Sequence, residues 1–475
     1  MVNLPIRRLA MGLLVTAVCS GTAMAEQIDF QGAVDRALSA NPRAQESAAR
    51  TDAAEAGVRS ARGGGLPRLW VGLNAAASNN PLNVFGYHLA QRNATFRDFG
   101  LADYTGPGSL GVAPSALNHP GYATNVDTTV AVSVPIYAGG ADNARLQAAR
   151  SRLDASRSRQ AMTHDQLVYD VLRTYQGVFA ARQMAVAAHK ATLAAEAYLK
   201  SARALMARGV ALRSDVLTAE ANLANARSAE QSAAAGVEDA LDAFRLTLGA
   251  PRSSGLTPAR AVDIPPPKGG IDNLEREAIA HSLKLQAMQA QLRAEDADVD
   301  IAHAGNRPRV DLTLRHDWNA DSPALDGSSN TVLLSVQWDL FSFGAQRGAI
   351  ERAVGDRRAM AASIKDTEDK MRLEVARRSR DLGTARARED ASRQALRHAA
   401  EATRLVKLRY EQGIATLNDL LDSQARLDRA RADVTQAHYD ALLARGALRL
   451  IVHDLDPAAA VYADSAAGDL PEEPQ

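Results

Sequence analysis

The sequence predicts a mainly α chain with a membrane β-barrel: four strands per chain in a trimeric 12-stranded barrel, continued by a long α-helical coiled-coil tunnel. Three observations predict it. Two pairs of segments alternate apolar and polar residues, long proline-free helical runs follow each pair, and both patterns recur in the two halves of the chain. This internal two-fold repeat is specific. Ala37-Leu38, Val58, Pro67-Arg68 and Leu73 match Ala278-Ile279, Val299, Pro308-Arg309 and Leu314 at one constant spacing. Gly209-Val210-Ala211, Asp215, Leu217 and Leu223 match Gly413-Ile414-Ala415, Asp419, Leu421 and Leu427 without a gap. The repeated unit is roughly 200 residues, far longer than a solenoid repeat.

Residues 1–25 read as a signal peptide. Arg7 and Arg8 precede an apolar run from Leu9 to Val18, and Ala23-Met24-Ala25 precedes a cleavage point before Glu26. The run is far short of the ~20 residues a membrane helix needs. Cys19, the only cysteine, follows Val18 where a lipoprotein signal carries a small residue, so lipidation there is disfavoured. Disulfides and thiol chemistry are not expected in the mature chain.

The first repeat (26–249) reads as a helix over about 30–63, a β-hairpin over about 67–137, a long helix over about 140–208 and a return helix over about 213–249. Leu69, Val71 and Leu73, then Val130, Val132, Val134 and Ile136, fall on one strand face. The hairpin's long connection has two readings of equal standing: an extracellular loop that caps a pore, or a short helix folded back beside the barrel. A Pro/Gly-rich linker (250–270) contains Pro265-Pro266-Pro267 and joins the copies.

The second repeat (271–455) has the same plan: a helix over 272–304, a hairpin over about 308–341, a long helix over about 344–412 and a return helix over about 416–454. Val310, Leu312 and Leu314, then Val332, Leu334, Val336, Trp338 and Leu340, share a face. Each long helix would span about 100 Å. Ile364, Met371, Val375, Leu382, Leu396, Ala399, Val406 and Tyr410 lie on a 3.5-residue lattice that signals coiled-coil packing. The acidic tail (456–475) is expected to be disordered.

Strand count and edges then argue for a barrel. Four strands leave two edges that must be covered or closed, and about eight strands are the lower limit for a membrane barrel. Three chains supply an even number within the known range. Of the 21 aromatic residues, 12 lie in 70–137 or 318–343, and Trp70, Trp318 and Trp338 are candidates for an aromatic girdle. Equal numbers of basic and acidic residues, 55 each, argue against nucleic acid as a partner. Aromatics are only 4% of a chain that is 46% hydrophobic, a balance suited to long, closely packed helices.

With this plan, the segment Val134-Pro135-Ile136-Tyr137-Ala138-Gly139-Gly140, the segment Trp338-Asp339-Leu340-Phe341-Ser342-Phe343-Gly344 and the two Gly-containing helical turns, the chain resembles the TolC-like outer-membrane efflux protein family. The resemblance covers essentially the whole mature chain. It implies a homotrimer in outer-membrane lipid, serving as a passive exit duct. It also implies docking to a periplasmic adaptor fed by an inner-membrane pump, proton-driven or ATP-driven.

Candidate sites lie at the helical tips. Asp419 and Asp422 are three residues apart on one helix face, and three-fold symmetry would stack them as two carboxylate rings that select cations or let cations plug the pore. The resemblance makes them a periplasmic constriction, to which Asp215 and Tyr410 also match. Some family members carry Arg where Ala415 stands, so a lock built on that Arg would be absent here. Gly209 and Gly413 end helices, and the resemblance makes the tips, with Val210, Leu212, Ile414 and Leu417, the adaptor-docking surface. No catalytic, cofactor or metal site emerges: the ten His are scattered, and Gly63-Gly64-Gly65 lacks the Lys-Ser/Thr of a phosphate loop.

The leading expectation is a conduit for drugs, solvents or metal ions in a tripartite pump. Type I protein secretion uses the same architecture and is the alternative within transport. A non-pore periplasmic coiled-coil scaffold is the alternative of another class, and the alternating strands argue against it.

Overall fold

Proline and short polar caps divide this chain into more helices than its periodicity suggests. The computed structural model describes residues 26–459 and 461–462, so the expected signal segment with Cys19 lies outside the described residues. Strand β1 (Gln27–Ile28) precedes α1 (Phe30–Ala40), α2 (Pro42–Gly64) and β2 (Arg68–Ser78). The connection holds α3 (Pro81–Ala90), two 3-10 turns and α4 (Ser115–Asn118), then β3 (Ala123–Ala138). Helices α5 (Ala141–Ala207) and α6 (Arg213–Thr247) follow, then β4 (Thr257–Pro258) and β5 (Val262–Asp263). The second half runs α7 (Ile271–His281), α8 (Leu283–Ala304), β6 (Arg309–Ala320), β7 (Ser328–Gln337), α9 (Ala345–Glu411) and α10 (Leu417–Ile451). A 3-10 turn at Pro457–Ala459 and β8 (Val461–Tyr462) end it.

Where the periodicity predicts one helix over 30–63 and another over 272–304, each is two helices. At Asn41 the backbone turns extended, and its side-chain oxygen accepts the Arg43 amide at 2.8 Å. Pro42, which has no N–H to lose, opens α2. Ser282 does the same between α7 and α8: it is fully buried, and its hydroxyl accepts the Leu285 amide at 3.2 Å. Caps interrupt the helix without disturbing the apolar pattern, and for that reason periodicity does not register them.

The chain divides into two compact units. One comprises the described residues up to Gln45, Thr163–His281 and those from Arg372 on. Its core is built on Tyr175, which is fully buried and meets Phe30 and Phe244 edge-on at 5.5 and 5.7 Å. The Tyr175 hydroxyl donates to the Arg260 carbonyl at 2.9 Å, so the same residue fixes the linker to α5. In the linker, β4 pairs parallel with β1 and β5 pairs antiparallel with β8. The first part of the tail is therefore ordered, contrary to the expectation for 456–475: it supplies a strand, and its 3-10 turn lies against α1.

Within this unit α9 buries a narrow stripe with a seven-residue stride: Val375, Leu382, Glu389, Leu396, Thr403 and Tyr410. The two polar members have partners. His438 Nδ1 and Glu389 are 2.8 Å apart, Arg393 reaches the same carboxylate at 2.7 Å, and the Thr403 hydroxyl donates to the Ser423 carbonyl at 3.0 Å. Burial works to raise the Glu389 pKa, but the hydrogen bond and charge of His438, with Arg393, outweigh it and hold the carboxyl below its ordinary 4.5. Such pairing lets a polar residue occupy a core position.

The other unit comprises Glu46–Met162 and Ser282–Met371. On its helices Ala148, Ala155, Ala290 and Ala294 are almost completely buried. Their flanks carry ion pairs: Arg157 with Glu55 at 2.9 Å, Arg152 with Asp298, and Arg357 with Asp296. Exposed pairs of this kind add little stability each. The unit also holds a four-stranded antiparallel sheet in the order β2-β3-β6-β7.

The sheet register sorts its side chains into two faces, because successive residues on a strand alternate. Leu69 pairs with Val132, Val132 with Leu314 and Leu314 with Val332, which makes one row of the apolar face. The opposite face carries Asn125, Thr129, Arg315 and Asp317; there the Thr129 hydroxyl donates to Asp317 at 2.8 Å, and Arg315 pairs with Asp317 at 2.8 Å. The register irregularity of β3 falls at Pro135, which has no N–H to donate.

The register corrects the three-Trp girdle. Trp318 is on the apolar face, edge-on to His316 at 4.2 Å. Trp70 alternates with Leu69 and Val71 and so lies on the polar face, its ring close to Gly72. Trp338 and Leu340, which alternation extends along the strand, lie beyond Gln337, where β7 ends. The Trp338 indole N–H instead donates to the Asn306 carbonyl at 3.0 Å.

Candidate functional site

The two helical tips are built alike because each requires a left-handed residue followed by a helix start. Gly209 has φ +75° and Gly413 has φ +73°, a conformation that strains any residue with a Cβ. The next amides fold back onto the ending helix: Val210 N–H to the Leu205 carbonyl at 3.0 Å, and Ile414 N–H to the Arg409 carbonyl at 2.8 Å. Thr416 then caps α10. Its backbone N–H and hydroxyl both donate to Asp419, at 3.0 and 2.8 Å, and the Asp419 amide donates back to the hydroxyl at 3.2 Å. In the first tip Asp215 accepts the Leu212 amide at 2.9 Å.

These bonds set the electrostatics. Hydrogen bonds from the Thr416 backbone and hydroxyl, helped by the Arg409 charge, hold the Asp419 carboxyl below the usual 3.8. Asp419 is therefore ionised at any physiological pH. Asp422, one turn further along α10, is exposed with it. Tyr410 is buried, and burial raises its phenol pKa, with a further push from the Asp215 charge. The Tyr410 hydroxyl is buried without a hydrogen-bond partner.

Of the four residues expected at a constriction, buried Tyr410 feels the charge of Asp215, whereas Asp419 and Asp422 are exposed on α10. Val210, Leu212 and Ile414 project from the tips at 64, 70 and 64% exposure. Leu417 does not: at 5% exposure it packs with Leu420, Val216 and Tyr198. One helical turn separates Leu417 from Leu420, so both face the neighbouring helices, and Leu417 leaves the expected docking surface.

Sequence reasoning missed a buried polar chain above the tips. The Tyr198 hydroxyl donates to Gln424 at 2.7 Å, and the Gln424 amide donates to Asp428 at 2.8 Å. Burial raises the Asp428 pKa against the opposing hydrogen bond from Gln424. The one signal in the sequence is that Gln424 and Asp428 are four residues apart on the buried side of α10. Among the described residues no helix is long and apolar enough to cross a membrane, and no three His, Cys, Asp or Glu side chains group as metal ligands.

A sheet with one exposed apolar face, joined to long helical hairpins with matched tips, defines the outer-membrane channel class. The sequence profile of the outer membrane efflux protein family matches residues 33–250 and 274–452, and the chain belongs to that family. It is 29% identical to Protein CyaE of Bordetella pertussis over 352 residues, which is 71% of this chain and 72% of that protein. It is 23% identical to Outer membrane efflux protein BepC of Brucella suis over 344 residues, 72% of this chain and 75% of that one. The fold is similar to the crystal structure of VceC, an outer membrane protein from Vibrio cholerae, with a TM-score of 0.71 at 17% identity, covering 89% of this chain and 95% of that one. The chain is an outer-membrane protein.

Proposed function

We propose that three copies of this chain form a passive exit duct through the outer membrane, through which small molecules delivered by an inner-membrane pump and a periplasmic adaptor leave the cell. The observation that carries the reading is the sheet. Its outer strands β2 and β7 have free edges among the described residues, and Val332, Leu334 and Val336 are exposed along β7. Edges of this kind invite pairing with a further strand, and an apolar face of this size calls for lipid. Joining β7 of one copy to β2 of the next satisfies both at once and closes twelve strands.

In this reading the tips form the periplasmic end. Asp419 and Asp422 then line the entrance as carboxylate rings, while exposed Val210, Leu212 and Ile414 meet the adaptor. The matching family and the name of the Brucella relative both specify efflux, which favours small-molecule cargo. Transport energy comes from the partner pump.

The test is planar-bilayer conductance of the purified chain and of Asp419→Ala/Asp422→Ala. Small cation-selective openings that lose their cation preference in the double variant are expected. An unchanged preference would reduce the two aspartates to helix-start residues, and failure of the protein to enter membranes would remove the duct.

A further inference from the structure

We infer that the long connection between β2 and β3, residues 79–122, is a stopper for the outer mouth of the duct, closed by contact with the same segment of the other copies. The inference rests on the barrel proposed above and adds to it a second gate, at the end of the sheet away from the helices.

The segment is folded rather than loose. Asn80 caps α3 and Pro81 opens it. Phe85 meets Phe99 edge-on at 5.0 Å, and Asp98 accepts both the amide and the hydroxyl of Thr95, at 2.7 and 2.8 Å.

Its anchor decides where it sits. At the end of α3 the Gln91 side-chain amide donates to Asn125 Oδ1 at 3.0 Å and to the Thr124 carbonyl at 2.7 Å. Asn125 in turn donates to Asn319 Oδ1 at 2.7 Å, and Arg92 donates to the Ser328 carbonyl at 2.5 Å. Gly327 permits the approach: a Cβ there would lie 2.5 Å from the Ala90 carbonyl oxygen. Asn125 and Asn319 are on the polar face of the sheet, and Gln91 and Asn125 are buried against each other. In a barrel with its apolar face in lipid, the polar face is the lumen wall, so α3 is tied to the inside of the mouth.

The rest of the segment mixes polar residues such as Arg97, Asp98 and Asp103 with large apolar side chains that stand uncovered. Leu82, Phe96 and Leu110 are each 78% exposed, and Tyr122 is equally open. Large apolar side chains left this open call for a partner. Lipid is not that partner, because the anchor is on the face turned from lipid. Copies around the barrel axis bring three sets of these side chains to one place, where they cover each other.

Two measurements test the stopper, both on the full-length protein. The first compares conductance with and without residues 82–119, replaced by a short Gly/Asn turn, in the Asp419→Ala/Asp422→Ala background so that the periplasmic entrance does not set the current. The second introduces Phe96→Cys, the mature chain otherwise being free of cysteine, and reads disulfide-linked pairs on a non-reducing gel after mild oxidation. A several-fold rise in conductance from a still trimeric shortened chain, together with efficient pairing of the Phe96→Cys variant, is expected. Equal conductance of the two chains, or a folded Phe96→Cys trimer that forms no linked pairs, overturns the stopper and leaves the duct standing. Absence of trimers and of current from every variant overturns the duct, and the stopper falls with it.

Discussion

Thr416 and Asp419 hold each other at the start of α10, and this small arrangement fixes the charge of the tip. Because the two Thr416 hydrogen bonds depress the Asp419 pKa, the carboxylate keeps its charge well into acid. Thr416→Ala is expected to cost about 1 kcal/mol of helix capping. It should also raise the pH at which cation preference fades, as read by reversal potentials across a bilayer. Glu389 gives a second pH signature. Its folded pKa lies below the unfolded value, so its contribution to stability is present above about 4.5 and is lost as pH falls through the lowered value. Glu389→Gln should therefore lower the thermal midpoint near neutral pH, with the gap to wild type closing in acid; a pH-independent gap would assign Glu389 a packing role only. The sequence made the charges at the tip legible, since caps are local. It held no sign that Glu389 is buried, because a polar residue at a core position reads as a break in the apolar lattice until its partner 49 residues away is known.

At the scale of the element, the strands were legible and their ends were not. Period-2 alternation marks the apolar face of β6 and β7 directly. It runs on through Trp338 and Leu340, past Gln337 where pairing stops, because alternation is a property of one strand and pairing needs two. Aromatic clustering, not alternation, put Trp70 in the girdle: its neighbours Leu69 and Val71 already assign it to the other face. The two faces predict opposite outcomes at adjacent positions. Leu334→Arg, on the apolar face, should lower the stability of the membrane-inserted form by roughly 2–4 kcal/mol. Leu333→Arg, on the polar face, should leave outer-membrane assembly near wild type, measured as heat-resistant oligomer in the membrane fraction. Equal loss from both would overturn the face assignment.

For the whole molecule, the proposed assembly predicts a particle of three chains in detergent, measured by light scattering; a stable monomer would leave both sheet edges open and sink the closed barrel. The sequence by itself determined the kinds of element and most of their lengths, because hydrophobic period, glycine turns and proline caps act over a few residues. It also placed the chain in its family before any contact was known. Only the tertiary structure decided which polar residues are buried, that the tail returns to pair with the linker, that Leu417 faces inward, and that α3 lies on the polar face of the sheet. Each of these depends on a partner far away in the chain. A partner of that kind changes the cost of burying a group without changing the local pattern that announces it.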